Sequence, residues 1–395
     1  MKHMHYELLL DQFEAKFGRQ GSIFIGPARV NLIGEHTDYN GGYVFPCALE
    51  MRSACVARPR TDGLIHLAST SYPHNITAQC EKLAEYKSLP WGSYQLGVIY
   101  MMRQAGYAVT GYDMLFDETV PHGSGLSSSA AIEMATAMAV ATFDAQMTGR
   151  SIDKLALALL AQKAENEYVG MKCGIMDQFA SAMGKSGHAI LLKCSSLVYH
   201  HVPFQPETGG YSLVIINTNK PRSLVTSRYN ERREECGQAL NHLQKFLPEA
   251  NCLGDITPVQ FEEYKGAIRE EVVRNRAEHI VYENERTKQS CELLEKGRLH
   301  EFGKLMCRSH VSLRDLYEVT GAELDALYEA ALNAKGVIGA RMTGAGFGGC
   351  TVNLVETGSI EDFKDIVQAA YTKKTGLIPQ FYVTRAAEGA REVKL

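Results

Sequence analysis

The sequence predicts a mixed α+β chain folded in two halves. Three observations carry this. Helical and strand-like segments recur along the whole length. A stretch with two prolines and two glycines, VPFQPETGGYS (Val202–Ser212), stands mid-chain and reads as a domain junction. The 395 residues, 45% hydrophobic and 22% charged, suit two or three domains with real cores. The halves are placed at residues 1–203 and 204–395.

The elements follow in order. MKHMHYELLLDQFEAKFG sets Glu7, Asp11, Glu14 and Lys16 among apolar residues, an amphipathic helix rather than a signal peptide. SIFIGPARVN (Ser22–Asn31) reads as a strand broken at Gly26-Pro27, and Val44 to Val56 contains another. Residues 92–105 suggest a buried helix, and Tyr112 to Val120 alternates as a strand does. Ser127 to about Met147, rich in Ala and Met, is a long buried helix. Ile152 to Gly170 is a second helix, with an Ala/Leu face, and Ala189 to Val202 returns to alternation. Beyond the junction, Tyr211–Asn217 is apolar and β-branched. Charged helical stretches cover Arg222–Phe246 and Gln260–Leu294. Strand-like runs return at Val337–Met342, Thr351–Val355 and Gln380–Val383.

Bulk properties exclude several functions. A net charge of −4 offers no basic excess for nucleic acid. No apolar run reaches 18 residues, so no membrane span is expected. Ten cysteines include no C-x-x-C pair, which leaves a structural zinc or redox motif unsupported and points to reduced thiols in a cytoplasmic protein.

Four stretches carry chemistry. LIGEHTDYNGGYVFP (Leu32–Pro46) crowds two acids, an imidazole, a hydroxyl and an amide between apolar ends; it is a solvated turn or a pocket for a hydrogen-bonding ligand. PHGSGLSSSAAIEMA (Pro121–Ala135) joins a strand to a helix. Its glycines let backbone N–H groups curl inward, and its serines stand at a helix N-terminus, a ready anion site. Serine hydroxyls can also ligate Mg²⁺. No G-x-x-x-x-G-K-[ST] loop exists. RMTGAGFGGCTVNLV (Arg341–Val355) fits G-x-G-x-x-G, but a strand follows where a dinucleotide fold needs a helix. A tight turn between strands near a ligand fits it better. ENEYVGMKCGIMDQFASAMG (Glu165–Gly184) embeds Glu165 and Asp177 in apolar sequence, and a carboxylate so placed needs a partner or a task.

Taken together, GPARVNLIGEHTDYNGG (Gly26–Gly42), PHGSGLSSSAA (Pro121–Ala131) and MTGAGFGGC (Met342–Cys350) resemble the GHMP small-molecule kinases. CGIMDQF (Cys173–Phe179), NTNKPRSLVTSRYNERREEC (Asn217–Cys236) and SHVSLRDLYEVTGAELDAL (Ser309–Leu327) resemble its galactose-phosphorylating branch. The resemblance runs from about residue 18 to near the C-terminus. It implies an N-terminal ribosomal-protein-S5-like domain, a ferredoxin-like C-terminal domain and a site in the cleft between them. It implies transfer of the γ-phosphoryl group of ATP to the anomeric hydroxyl of α-D-galactose, with Mg²⁺. A monomer that binds neither nucleic acid nor membrane is expected.

The resemblance also implies roles. Arg29 stabilises charge on the transferred group, and Asp177 takes the proton from the sugar. Glu35, His36, Thr37, Asp38, Asp177 and Tyr229 bind the sugar. Gly123, Ser124, Gly125, Leu126, Ser127, Ser128 and Ser129 form the ATP phosphate loop, and Ser129 and Glu165 hold Mg²⁺. Asp177 is expected to pair with Arg29, because an aspartate beside a cation stays charged and ready to accept. Ala28 replaces the family's usual glycine, which asks only for ordinary φ there. His122 receives no role. Kinases of the same family for N-acetylgalactosamine or L-arabinose, and a non-catalytic galactose and ATP sensor, stand as alternatives.

Overall fold

The computed structural model describes residues 2–121, 123–220 and 225–395. His122, and the expected start of the charged helix at Arg222, lie outside the described residues.

A six-stranded sheet organises the first half. Its order is Arg391–Val393, Ser22–Asn31, Pro46–Pro59, Tyr112–Glu118, Leu64–Ser69, Ile76–Gln79. Neighbours are antiparallel except Tyr112–Glu118 and Leu64–Ser69. Alternation along Ser22–Asn31 buries both faces. Ile23 and Ile25 pack with Leu9 and Phe13 of the N-terminal helix Lys2–Phe17. Phe24 faces the other way, into a core shared with the helices Ser93–Gln104 and Ser128–Thr148.

The expected break at Gly26-Pro27 is a register shift inside a continuous strand, falling between Pro27 and Arg29. A bulge keeps the strand paired while re-aiming a side chain, here Arg29. The expected helix Ile152–Gly170 is the α-helix Lys154–Lys163 followed by a π-helical turn, Ala164–Val169, which carries Glu165. Such wider turns recur where one side chain must be displaced toward a site. The run Ala189–Val202 is a hairpin, His188–Lys193 and Val198–Pro203, and a third sheet forms as Tyr43–Val44 joins its edge.

In the second half the order is Val337–Thr343, Cys350–Glu356, Tyr211–Asn217, Gln380–Thr384, all antiparallel. The charged stretch Gln260–Leu294 divides into Pro258–Tyr264 and Glu271–Glu295. Helices Leu299–Asp315, Ala322–Asn333 and Ile360–Thr375, and strands Leu64–Ser69 and Ile76–Gln79, were not legible in the sequence pattern. One core joins the halves: Val30, Leu32 and Phe45 cluster with Leu213, Ile215, Val352 and Leu354. The chain end also returns, Val393 pairing with Ile23. No helix among the described residues is long and apolar enough to cross a membrane.

Candidate active site

A cleft of about 410 Å³ opens where the three glycine-bearing motifs meet. Arg29, Glu35, His36, Asp38, Ser127, Ser129, Glu165, Asp177 and Tyr229, all expected site residues, line it together.

At its centre Arg29 Nε donates to Asp177 Oδ1 at 2.8 Å, the expected pair. Arg29 Nη1 donates to Gly125 O at 2.7 Å, and the Arg29 backbone N–H to Leu126 O at 3.1 Å. The strand and the phosphate loop are thereby pinned to each other. Burial pulls the guanidinium pKa down, but Asp177, Glu35 and Asp38 more than offset it, so its charge is secure. The other Asp177 oxygen accepts from Ser127 Oγ at 2.5 Å. Ser127 holds φ 60°, a left-handed conformation rare outside glycine, directly before the helix Ser128–Thr148.

The sugar loop is tied down from within. Thr37 Oγ1 reaches two backbone carbonyls, Gly34 O at 2.8 Å and Tyr43 O at 2.6 Å. Asn40 Nδ2 donates to His36 O at 2.9 Å. Tyr39 and Tyr317 share a hydroxyl contact of 2.7 Å, and Tyr39 lies 3.0 Å from His36 Nδ1. Glu35 accepts from Asn31 Nδ2 and from the Gly344 N–H, which draws the third glycine loop onto this end. His36 is neutral: burial, with His279 nearby, holds its pKa well below the usual range. Its buried Nε2 finds no partner among the described residues, so it is available to a ligand hydroxyl. Burial, with Asp177 close by, pushes Asp38 up to about 7. Gly174 makes room for it, since a Cβ there would strike the Asp38 carboxylate. Tyr229 packs on His36 and Tyr39 at 5.9 and 5.2 Å between ring centres.

Three expected residues do not line the cleft with their side chains. Thr37 is fully buried, its hydroxyl engaged as above. Leu126 is a core residue, buried with Ala131 and Val120. Ser124 Oγ donates to Pro121 O at 2.7 Å, closing the loop on itself. The apolar and small polar members of a binding loop shape its backbone, and the ligand sees only the remainder.

Two residues escaped sequence reasoning, Glu133 at the phosphate end and Arg341 at the sugar end. Glu133, fully buried, shares the Gln178 Nε2 amide with Glu165, at 2.9 and 2.7 Å. Burial and the neighbouring Glu165 push Glu133 well up; burial and Asp177 push Glu165 to about 7. Ser129, nearby, opposes part of that rise at Glu165. Glu133 stands four residues after Ser129, on the same helix face, and that spacing was the available signal. Arg341 was also missed: fully buried, it donates from Nη1 to Asn31 O at 3.0 Å and sits 3.4 Å from Glu35. At the far end of the cleft, the rings of Tyr72 and Trp91 stack 5.6 Å apart.

Comparisons with known proteins give the family. The family profile "Galactokinase galactose-binding signature" matches residues 11–59. "GHMP kinases N terminal domain" matches 93–185, and "GHMP kinases C terminal" matches 291–373. A galactokinase of Clostridium tetani is 47% identical over 99% of this chain and 98% of its own. One of Bacillus subtilis is 46% identical over 97% of each. The crystal structure of Lactococcus lactis galactokinase complexed with galactose superposes with TM-score 0.93 at 39% identity, covering 98% of this chain and 100% of that one. Methanococcus jannaschii mevalonate kinase, at 18% identity and TM-score 0.65 over 93% and 99% of the two chains, shares the fold. The chain belongs to the galactokinases, sugar kinases of the GHMP family.

Proposed function

We propose that the chain transfers the γ-phosphoryl group of ATP to the anomeric hydroxyl of α-D-galactose, giving α-D-galactose 1-phosphate and ADP. The observation that carries this is the Arg29–Asp177 pair, set between the sugar loop and the phosphate loop. Phosphoryl transfer asks for positioning and charge compensation more than covalent work. Asp177 accepts the proton of the attacking hydroxyl, and Ser127 and Arg29 hold its carboxylate in place. Arg29, a planar fork of donors, stabilises charge on the transferred group. Glu35, His36, Asp38 and Tyr229 match the sugar's hydroxyls, so that a wrong epimer leaves buried polar groups unpaired. Thr37 holds the loop that presents them. Backbone N–H groups of Gly123–Ser129 and the helix start at Ser128 receive the phosphates, and Tyr72 and Trp91 offer a flat apolar seat for the base.

A divalent cation fits the same end. Hard oxygen donors converge there, and Glu133 Oε1 and Gln178 Oε1 find no hydrogen-bond partner among the described residues. Ser129 and Glu165 would hold Mg²⁺, which neutralises phosphate charge when bound. The two domains are proposed to divide at residues 203 and 204, and the protein to act as a cytoplasmic monomer.

The test is ADP release from ATP and Mg²⁺ with galactose, N-acetylgalactosamine, arabinose, glucose or no sugar in parallel. Release with galactose alone is expected. Preference for another sugar would overturn the substrate and leave the chemistry standing.

A further inference from the structure

We infer that His200, Cys291 and Glu295 form a second metal site, suited to Zn²⁺, that clips the first half of the chain to the second. Cys291 and Glu295 stand four residues apart on the helix Glu271–Glu295, on one face. His200 reaches them from the hairpin strand Val198–Pro203. Its Nε2 lies 3.4 Å from Cys291 Sγ and 3.6 Å from Glu295 Oε1, and the three ligand atoms lie within 4.8 Å of one another.

Those spacings are the argument. Tetrahedral zinc, with Zn–S near ~2.3 Å and Zn–N near ~2.0 Å, sets S and N about 3.5 Å apart and N and O about 3.3 Å apart. The His200–Cys291 and His200–Glu295 spacings already stand close to that geometry, so an ion can be held by side-chain adjustment. Cys291 is anchored in a core cluster while His200 and Glu295 are about half exposed. An ion can therefore enter from solvent and keep a water as its fourth ligand. A thiolate and an imidazole favour zinc over a hard cation, so Mg²⁺ at the phosphate end and zinc here do not compete. None of the three residues lines the cleft. The consequence is stability, because the ion joins a strand before the junction to a helix after it.

The test uses the full, reduced, metal-stripped chain and Co²⁺ as a probe, followed by Zn²⁺. One equivalent should give a thiolate-to-cobalt charge-transfer band that Zn²⁺ displaces and millimolar Mg²⁺ does not. Cys291→Ser should abolish the band although nine other free cysteines remain. His200→Ala, at a half-exposed position that leaves the core intact, should weaken binding about tenfold or more. Zn²⁺ should raise the melting temperature of the wild type, raise that of His200→Ala less, and leave that of Cys291→Ser unmoved. The proposal is overturned if no band appears, if the band survives Cys291→Ser, or if Zn²⁺ shifts all three proteins equally.

Discussion

The two ends of the cleft are built on opposite plans. At the sugar end most polar groups already have partners: Thr37, Asn40 and Tyr39 bond within the chain, and Glu35 is held by Asn31 and Gly344. Satisfied bonds leave few positions open, and that is how hydroxyl patterns can be told apart. At the phosphate end Glu133 and Glu165 press together around one amide, each with its pKa raised. That cluster is costly until positive charge arrives. On the proposed reading, specificity comes from a finished surface, and affinity for nucleotide and a divalent cation comes from an unfinished one. Arg29 and Asp177 stand where the two plans meet.

The largest effect is expected at that join. Asp177→Asn should cut kcat by about 10²–10⁴-fold, since it removes the proposed proton acceptor. Galactose affinity by calorimetry should stay within a few-fold. Near-normal turnover would remove Asp177 from the base role.

A smaller effect should separate the ends. Gln178→Ala frees the Glu133–Glu165 pair from its shared amide, as loss of a group that orients a metal ligand does. Mn²⁺ affinity, followed by its paramagnetic signal, should fall about 10–100-fold, with galactose binding unchanged. If both affinities fell together, the ends would not be independent.

The subtlest effect concerns pH at the sugar end. Asp38 keeps its proton up to about 7 against an ordinary 3.8. A carboxyl raised in this way supports the fold while protonated, and that support is lost as pH rises from about 4 through about 7. Asp38→Asn resembles the protonated form at every pH. The melting temperature of the ligand-free wild type minus that of the variant should therefore fall across this window and level off above it. A flat difference would show that Asp38 is not desolvated as described.

Much of this was legible in residue order alone. The EHTD run, the GSGLSSS loop and the GAGFGG turn are local signals, because tight turns and helix starts demand particular residues at adjacent positions. The same holds for most strands and for the long helix after the phosphate loop. The strand at Leu64–Ser69 and the helices Leu299–Asp315 and Ala322–Asn333 were not legible. Their identity rests on partners far along the chain, and propensity yields to such packing.

The sequence by itself determined which chemical groups the protein carries and which short loops present them. Local backbone preferences and the family resemblance both act at that range. Tertiary structure alone decided which groups a ligand meets. It turned Thr37 inward, set Glu133 against Glu165 and brought Arg341 to Glu35 across 306 positions. It also placed His200 beside Cys291, 91 residues apart. The physical reason is that a side chain's partners are fixed by burial and hydrogen bonding among distant segments, and no local spacing encodes those distances.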